Sequence, residues 1–88
     1  MDTKEVMARL YMIEKEAIQL DADLKKAGAE LKEIAYGLDM GSQYDSLNVL
    51  IAMQKSKRLS ENSILAYEKL RQLQDEKRSL EEELKRRV

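Results

Sequence analysis

The chain has neither histidine nor cysteine. Their absence removes the commonest general base, the thiol nucleophile and the usual ligands of a transition metal. Serines and acids remain, but nothing in the pattern gathers them into a concave pocket. Gly37 and Gly41 border one short segment and read as caps rather than as a phosphate-cradling loop. No catalytic residue, cofactor or metal site is expected, so the chemistry open to this sequence is that of surfaces.

Two surfaces are worth weighing. Lys25-Lys26 and Lys55-Ser56-Lys57-Arg58 are the basic clusters that phosphate binding would use. The chain carries 16 Lys and Arg against 17 Asp and Glu, a net charge of −1, and the two signs are interleaved. Asp21, Asp23 and Glu61 balance the clusters, which read as solvated helix faces, and no nucleic-acid partner is expected. The second surface is built from tyrosine and methionine, side chains that bury an apolar body while keeping a polar or soft end available. Tyr11, Tyr36, Tyr44 and Tyr67 all fall off the main apolar stripe. Tyr36, Met40, Tyr44 and Leu47 gather near one point of the chain, with Ile51 a turn further on. Two readings stand side by side there: local packing that closes a turn, and contact with a partner. Met7, Tyr11 and Met12 widen the first half in the same way, as core of a dimer or bundle.

The elements that must carry these residues are helices. Proline is absent throughout. Val6, Leu10, Ile13, Ala17, Leu20, Leu24, Ala27, Leu31, Ile34 and Leu38 advance by alternating steps of four and three, the spacing that keeps one helix stripe facing another helix. Asp2 followed by Glu5 predicts a capped start. The first helix is expected over about 3–36, ended by Gly37, with a turn over 37–42. Ser42, with Asp45 three residues on, is the expected cap of a second helix over about 43–87. There Val49, Ala52, Ser56, Leu59, Ser63, Ala66, Leu70, Leu73, Lys77, Leu80 and Leu84 continue the stripe. The weakest helix formers, Ser60–Ser63, are the place where it would break, but the heptad phase survives across them and predicts one continuous helix.

The fold expected is all-α: one domain over 1–88, an antiparallel two-helix hairpin of coiled-coil type. An 88-residue chain without a disulfide or zinc staple buries a modest core, so a dimeric four-helix bundle, or a bundle completed by a partner, is expected to supply the rest. Folding about Met40 sets Thr3 near Arg78 and leaves residues beyond Ser79 as an overhang. This tail is held helical by the pairs Glu81–Lys85, Glu82–Arg86 and Glu83–Arg87, with Leu80 and Leu84 left for another chain to cover. The residues assigned to protein contact are therefore Tyr11, Tyr36, Met40, Tyr44, Leu47, Ile51, Leu80 and Leu84. No apolar run reaches the length of a membrane span and no apolar leader opens the chain, so a cytoplasmic location is expected.

Leu31-Lys32, then Gly37-Leu38-Asp39, then Gln43-Tyr44 with Leu47 and Leu50, resembles the small two-helix co-chaperones of type III secretion needle proteins. The resemblance spans about 23–62, and the second helix here is longer than is usual in that family. It implies a cytoplasmic hairpin that pairs with a helical-repeat chaperone and helps keep a needle subunit soluble. Secreted hairpins with a Trp-x-Gly turn share the size and topology, but this chain has no Trp. The function expected is thus a non-enzymatic protein-interaction module, a small chaperone or adaptor. A phage or bacterial regulator that binds a host protein and a structural homodimeric coiled coil are the alternatives.

Overall fold

The computed structural model describes residues 1–39 and 46–87. Two helices account for nearly all of them: α1, Thr3–Asp39, and α2, Ser46–Arg86. They lie antiparallel in a rod 64 Å long and 15 by 14 Å across. Asp2 caps α1 as its sequence position suggests, its Oδ1 accepting the Glu5 amide at 2.8 Å. α2 runs unbroken through Ser60–Ser63.

α1 continues through Gly37 and Leu38 to Asp39, three residues beyond the expected end. Gly37 does not adopt the left-handed cap conformation, since no described glycine has positive φ. A glycine inside a helix costs only about 1 kcal/mol relative to Ala. Leu38, the next stripe residue, keeps the helix on its partner. The proposed Ser42 cap with Asp45, and Met40 and Tyr44, lie outside the described residues.

Every residue of the first apolar stripe is buried or half-buried, and so is every residue of the second except Lys77. Lys77 sits at a core position but extends its ammonium outward to Glu81, 3.9 Å away, as long cationic side chains do when their stem packs and their head stays wet.

The register differs from the expected one. The Arg9 guanidinium donates two hydrogen bonds to the Glu76 carboxylate, Nε to Oε2 at 2.6 Å and Nη2 to Oε1 at 2.8 Å. Val6, Ile13, Leu73 and Leu80 form the buried core, with Leu10, Leu20 and Leu84 packed against it. Arg9 is therefore level with Glu76, about one helical turn further along α2 than a fold about Met40 would set it. Thr3 meets Arg87, whose Nη1 donates to Thr3 Oγ1 at 3.1 Å, and not Arg78. The Arg87 guanidinium also reaches the Met1 carbonyl.

There is consequently no overhang. The tail packs within its own hairpin: Leu80 is 8% exposed and Leu84 is half-buried beside it. Of the three tail pairs anticipated, Glu83–Arg87 is formed at 2.5 Å, while Glu81 turns instead to Lys77.

Carrying this register along the rod pairs the layers. Val6 lies level with Leu80 and Ile13 with Leu73. Further toward the turn, Leu20 meets Ala66, Leu24 meets Ser63, Ala27 meets Leu59, Leu31 meets Ser56 and Ile34 meets Ala52. The seam serines satisfy their hydroxyls within α2: Ser56 Oγ donates to the Ala52 carbonyl at 3.0 Å and Ser63 Oγ to that of Leu59 at 2.7 Å. That is how two polar residues can occupy core positions.

Candidate interaction surface

A two-helix rod has two flanks along its seam, and here they differ. On the first flank stand Arg9, Glu16 and Asp23 of α1 with Asn62, Lys69 and Glu76 of α2. Arg9–Glu76 crosses from one helix to the other. Glu16 and Lys69 border one shallow groove with Leu20, and Asp23 and Asn62 border the next with Leu24 and Ala66. The hydrogen bonds from Arg9 hold the Glu76 carboxyl below its ordinary value, and Glu76 in turn raises Arg9. The Arg9–Glu76 pair bridges this side near the free ends.

The second flank carries a larger groove. About 310 Å³ in volume, it runs between Ile13, Glu14, Ala17, Ile18 and Asp21 of α1 and Leu70, Gln74 and Lys77 of α2. It continues past Glu14 and Lys77 into a second one bordered by Met7, Leu10, Tyr11 and Leu84. The ion pairs formed on this flank stay within one helix: Asp21–Lys25 at 2.8 Å, which raises the Lys25 pKa, and Lys77–Glu81. Tyr11 and Ile18 stand on its α1 rim, 58% and 65% exposed. The Lys15 ammonium lies 5.1 Å from the centre of the Tyr11 ring, a cation–π contact that steadies the ring without covering it.

The residues assigned to protein contact from sequence do not form one site. Tyr11 is exposed near the free ends of the rod, on the second flank. Tyr36, Leu47 and Ile51 are exposed toward the turn, with Tyr36 beside Ala29, Lys32 and Glu33. Met40 and Tyr44 lie outside the described residues. Leu80 is buried in the hairpin's own core, and Leu84 packs against that core while bordering the outer groove. Ile18, Leu50, Met53, Ile64, Leu65 and Tyr67 are exposed apolar side chains that the sequence assignment left out. The signal that finds Ile18, Ile64 and Tyr67 is their heptad position, one residue beyond a stripe residue on the same side of the seam.

No group of acidic, histidine or cysteine side chains among the described residues is placed to hold a metal ion. No helix of the described chain is long and apolar enough to cross a membrane. The chain matches no protein-family model, and neither a curated protein nor a solved structure matches it significantly. What the fold and surface define is a class: an antiparallel helical hairpin bridged by an ion pair on one flank and carrying a groove of mixed apolar and charged lining on the other.

Proposed function

We propose that the chain is a non-enzymatic protein-interaction module whose hairpin completes a larger helical bundle with a partner. One observation carries this reading. Among the described residues four apolar side chains are buried, while thirteen large ones are exposed. Exposed apolar side chains that outnumber the buried ones in so small a protein are surface that a partner helix would cover. A chaperone or adaptor that holds a helical partner fits that surface. The co-chaperone role suggested by the turn residues is supported by the hairpin architecture and by those residues alone. A host-binding bacterial or phage regulator would use the same surface.

The reading is tested by melting the full chain over a wide concentration range, alone and with helical peptides. A module of this kind gains stability when its surface is covered, because a ligand that binds only the folded state shifts the melt. A cooperative melt indifferent both to concentration and to every added helix would overturn the reading.

A further inference from the structure

The seam by itself does not choose the register. Both stripes repeat every heptad, so α2 can slide one heptad either way and still set apolar residues against apolar ones. Slid one way, Val6 meets Leu73 and Leu10 meets Leu70. Slid the other way, Ile13 meets Leu80 and Leu20 meets Leu73. The observed register even sets Leu10 level with Lys77, whose ammonium leaves the core for Glu81.

The first flank does choose. Arg9 donates two hydrogen bonds to Glu76, at 2.6 and 2.8 Å. The same register sets Glu16 level with Lys69, the two bordering one groove, and Glu30 level with Lys55. Asp23 falls beside the neutral Asn62. None of these rungs sets like charge against like. Either slide spoils the set: one brings Arg9 against Lys69, the other Glu16 against Glu76. Arg9, Glu16, Glu30 and Glu76 are half-buried, so charges meeting there are screened less than on an open face. The second flank has no opposite-charge rung at these levels, since Glu14 lies level with Gln74 and Asp21 with Tyr67.

We propose that Arg9, Glu16 and Glu30 of α1, with Glu76, Lys69 and Lys55 of α2, form a charge lock that holds the hairpin in this register and thereby keeps Leu80 and Leu84 inside it. Charges beside a helical seam set register and orientation in this way wherever the apolar stripe alone is indifferent. With α2 slid so that Val6 meets Leu73, the tail from Leu80 onward runs past the start of α1, and Leu80 and Leu84 lose the core that covers them. The lock therefore decides whether the tail is core or surface. The proposal goes beyond the interaction-module reading and does not rest on what the hairpin binds.

The test is a charge swap in the full chain, Lys69→Glu with Glu76→Lys, which leaves composition and net charge unchanged. In the observed register the swap sets Arg9 against the new lysine and Glu16 against the new glutamate. With α2 slid so that Val6 meets Leu73, Arg9 meets the new glutamate and the new lysine falls beside Asp2. Methyl–methyl contacts in NMR spectra read the register directly. The parent is expected to show Val6 against Leu80 and Ile13 against Leu73. The swapped chain is expected to lose both and show Val6 against Leu73, with its helical circular dichroism kept. Adding Arg9→Glu and Glu16→Lys to the swap inverts every charge of the two outer rungs and is expected to restore the parent contacts. A swapped chain that keeps the parent contacts would overturn the proposal, because burial of the tail would then set the register without the flank. So would a swapped chain that loses its cooperative melt, or a fourfold variant that does not return to the parent contacts.

Discussion

Near its free ends the hairpin holds its four buried side chains, large against large; from Leu24 to Ile34 it sets each large seam residue against a small one or a small one against a large. Val6 faces Leu80 and Ile13 faces Leu73, and all four are buried. The same register sets Leu24 against Ser63, Leu31 against Ser56 and Ile34 against Ala52, and none of these reaches the burial of those four. Two side-chain links between the helices, Arg9–Glu76 and Arg87–Thr3, lie in the outer half. Burial of apolar area is the main source of stability in so small a protein. The two halves, although joined in one continuous pair of helices, are therefore unequal. The covalent turn holds the lightly packed end together, and the non-covalent core holds the end where the chain termini meet.

The sharpest way to break this comparison is to cut the tail. Removing residues 80–88 takes away Leu80, Leu84 and the Arg87 contacts at once. The expected result is loss of the cooperative melt seen by circular dichroism, not a helical remnant that merely fails to associate. Next in size is Ile13→Ala, which deletes buried volume against Leu73. It should cost about 2–5 kcal/mol in urea unfolding, the range for large-to-small changes in a closed core. Leu31→Ala, the counterpart in the turn half, should cost clearly less, because Leu31 faces Ser56 and is already part-exposed. Equal losses at the two sites would erase the distinction between the halves.

Gly28→Ala acts in the opposite direction. Gly28 is helical and exposed, and a Cβ placed there meets nothing within 4 Å. The substitution should raise stability by about 0.5–1 kcal/mol by removing the backbone-entropy cost of a mid-helix glycine. The smallest effect is electrostatic. The folded Glu76 carboxyl titrates below its ordinary value of 4.5, so its contribution is fully present above that value and disappears as the pH falls through the depressed one. Acidification from pH 6 to pH 3, a span of about three units around the ordinary carboxylate range, should therefore cost the parent chain more stability than it costs Glu76→Gln. The gap should be narrowed by salt, since both side chains are a third or more exposed.

The stripe was legible in the sequence because helix faces repeat. Alternating steps of three and four from Val6 to Leu38, and from Val49 to Leu84, name the buried seam with Lys77 as the one member left exposed. Helix type and continuity across Ser60–Ser63 followed from the same phase. Register was not legible, because periodicity is unchanged when one helix slides a heptad past the other. A pivot at Met40 sets Thr3 beside Arg78, whereas pairing Arg9 with Glu76 and large residues with large at the free ends sets Thr3 beside Arg87. That shift turned Leu80 and Leu84 from a presumed docking edge into core. The end of α1 was misplaced because glycine is a frequent stop but a tolerated interior residue. The second flank was only partly legible. Its Tyr11 is visible as an off-stripe aromatic, but Ile18 and Leu70 border one groove only once the register is known.

Native-state hydrogen exchange of the amides tests the unequal halves most directly. The prediction is a gradient: amides around Ile13 and Leu73 exchange only through global unfolding, while those around Leu31 and Ser56 exchange about tenfold or more faster through local opening. Uniform protection along the rod, or slower exchange in the turn half than around Ile13 and Leu73, would contradict the account.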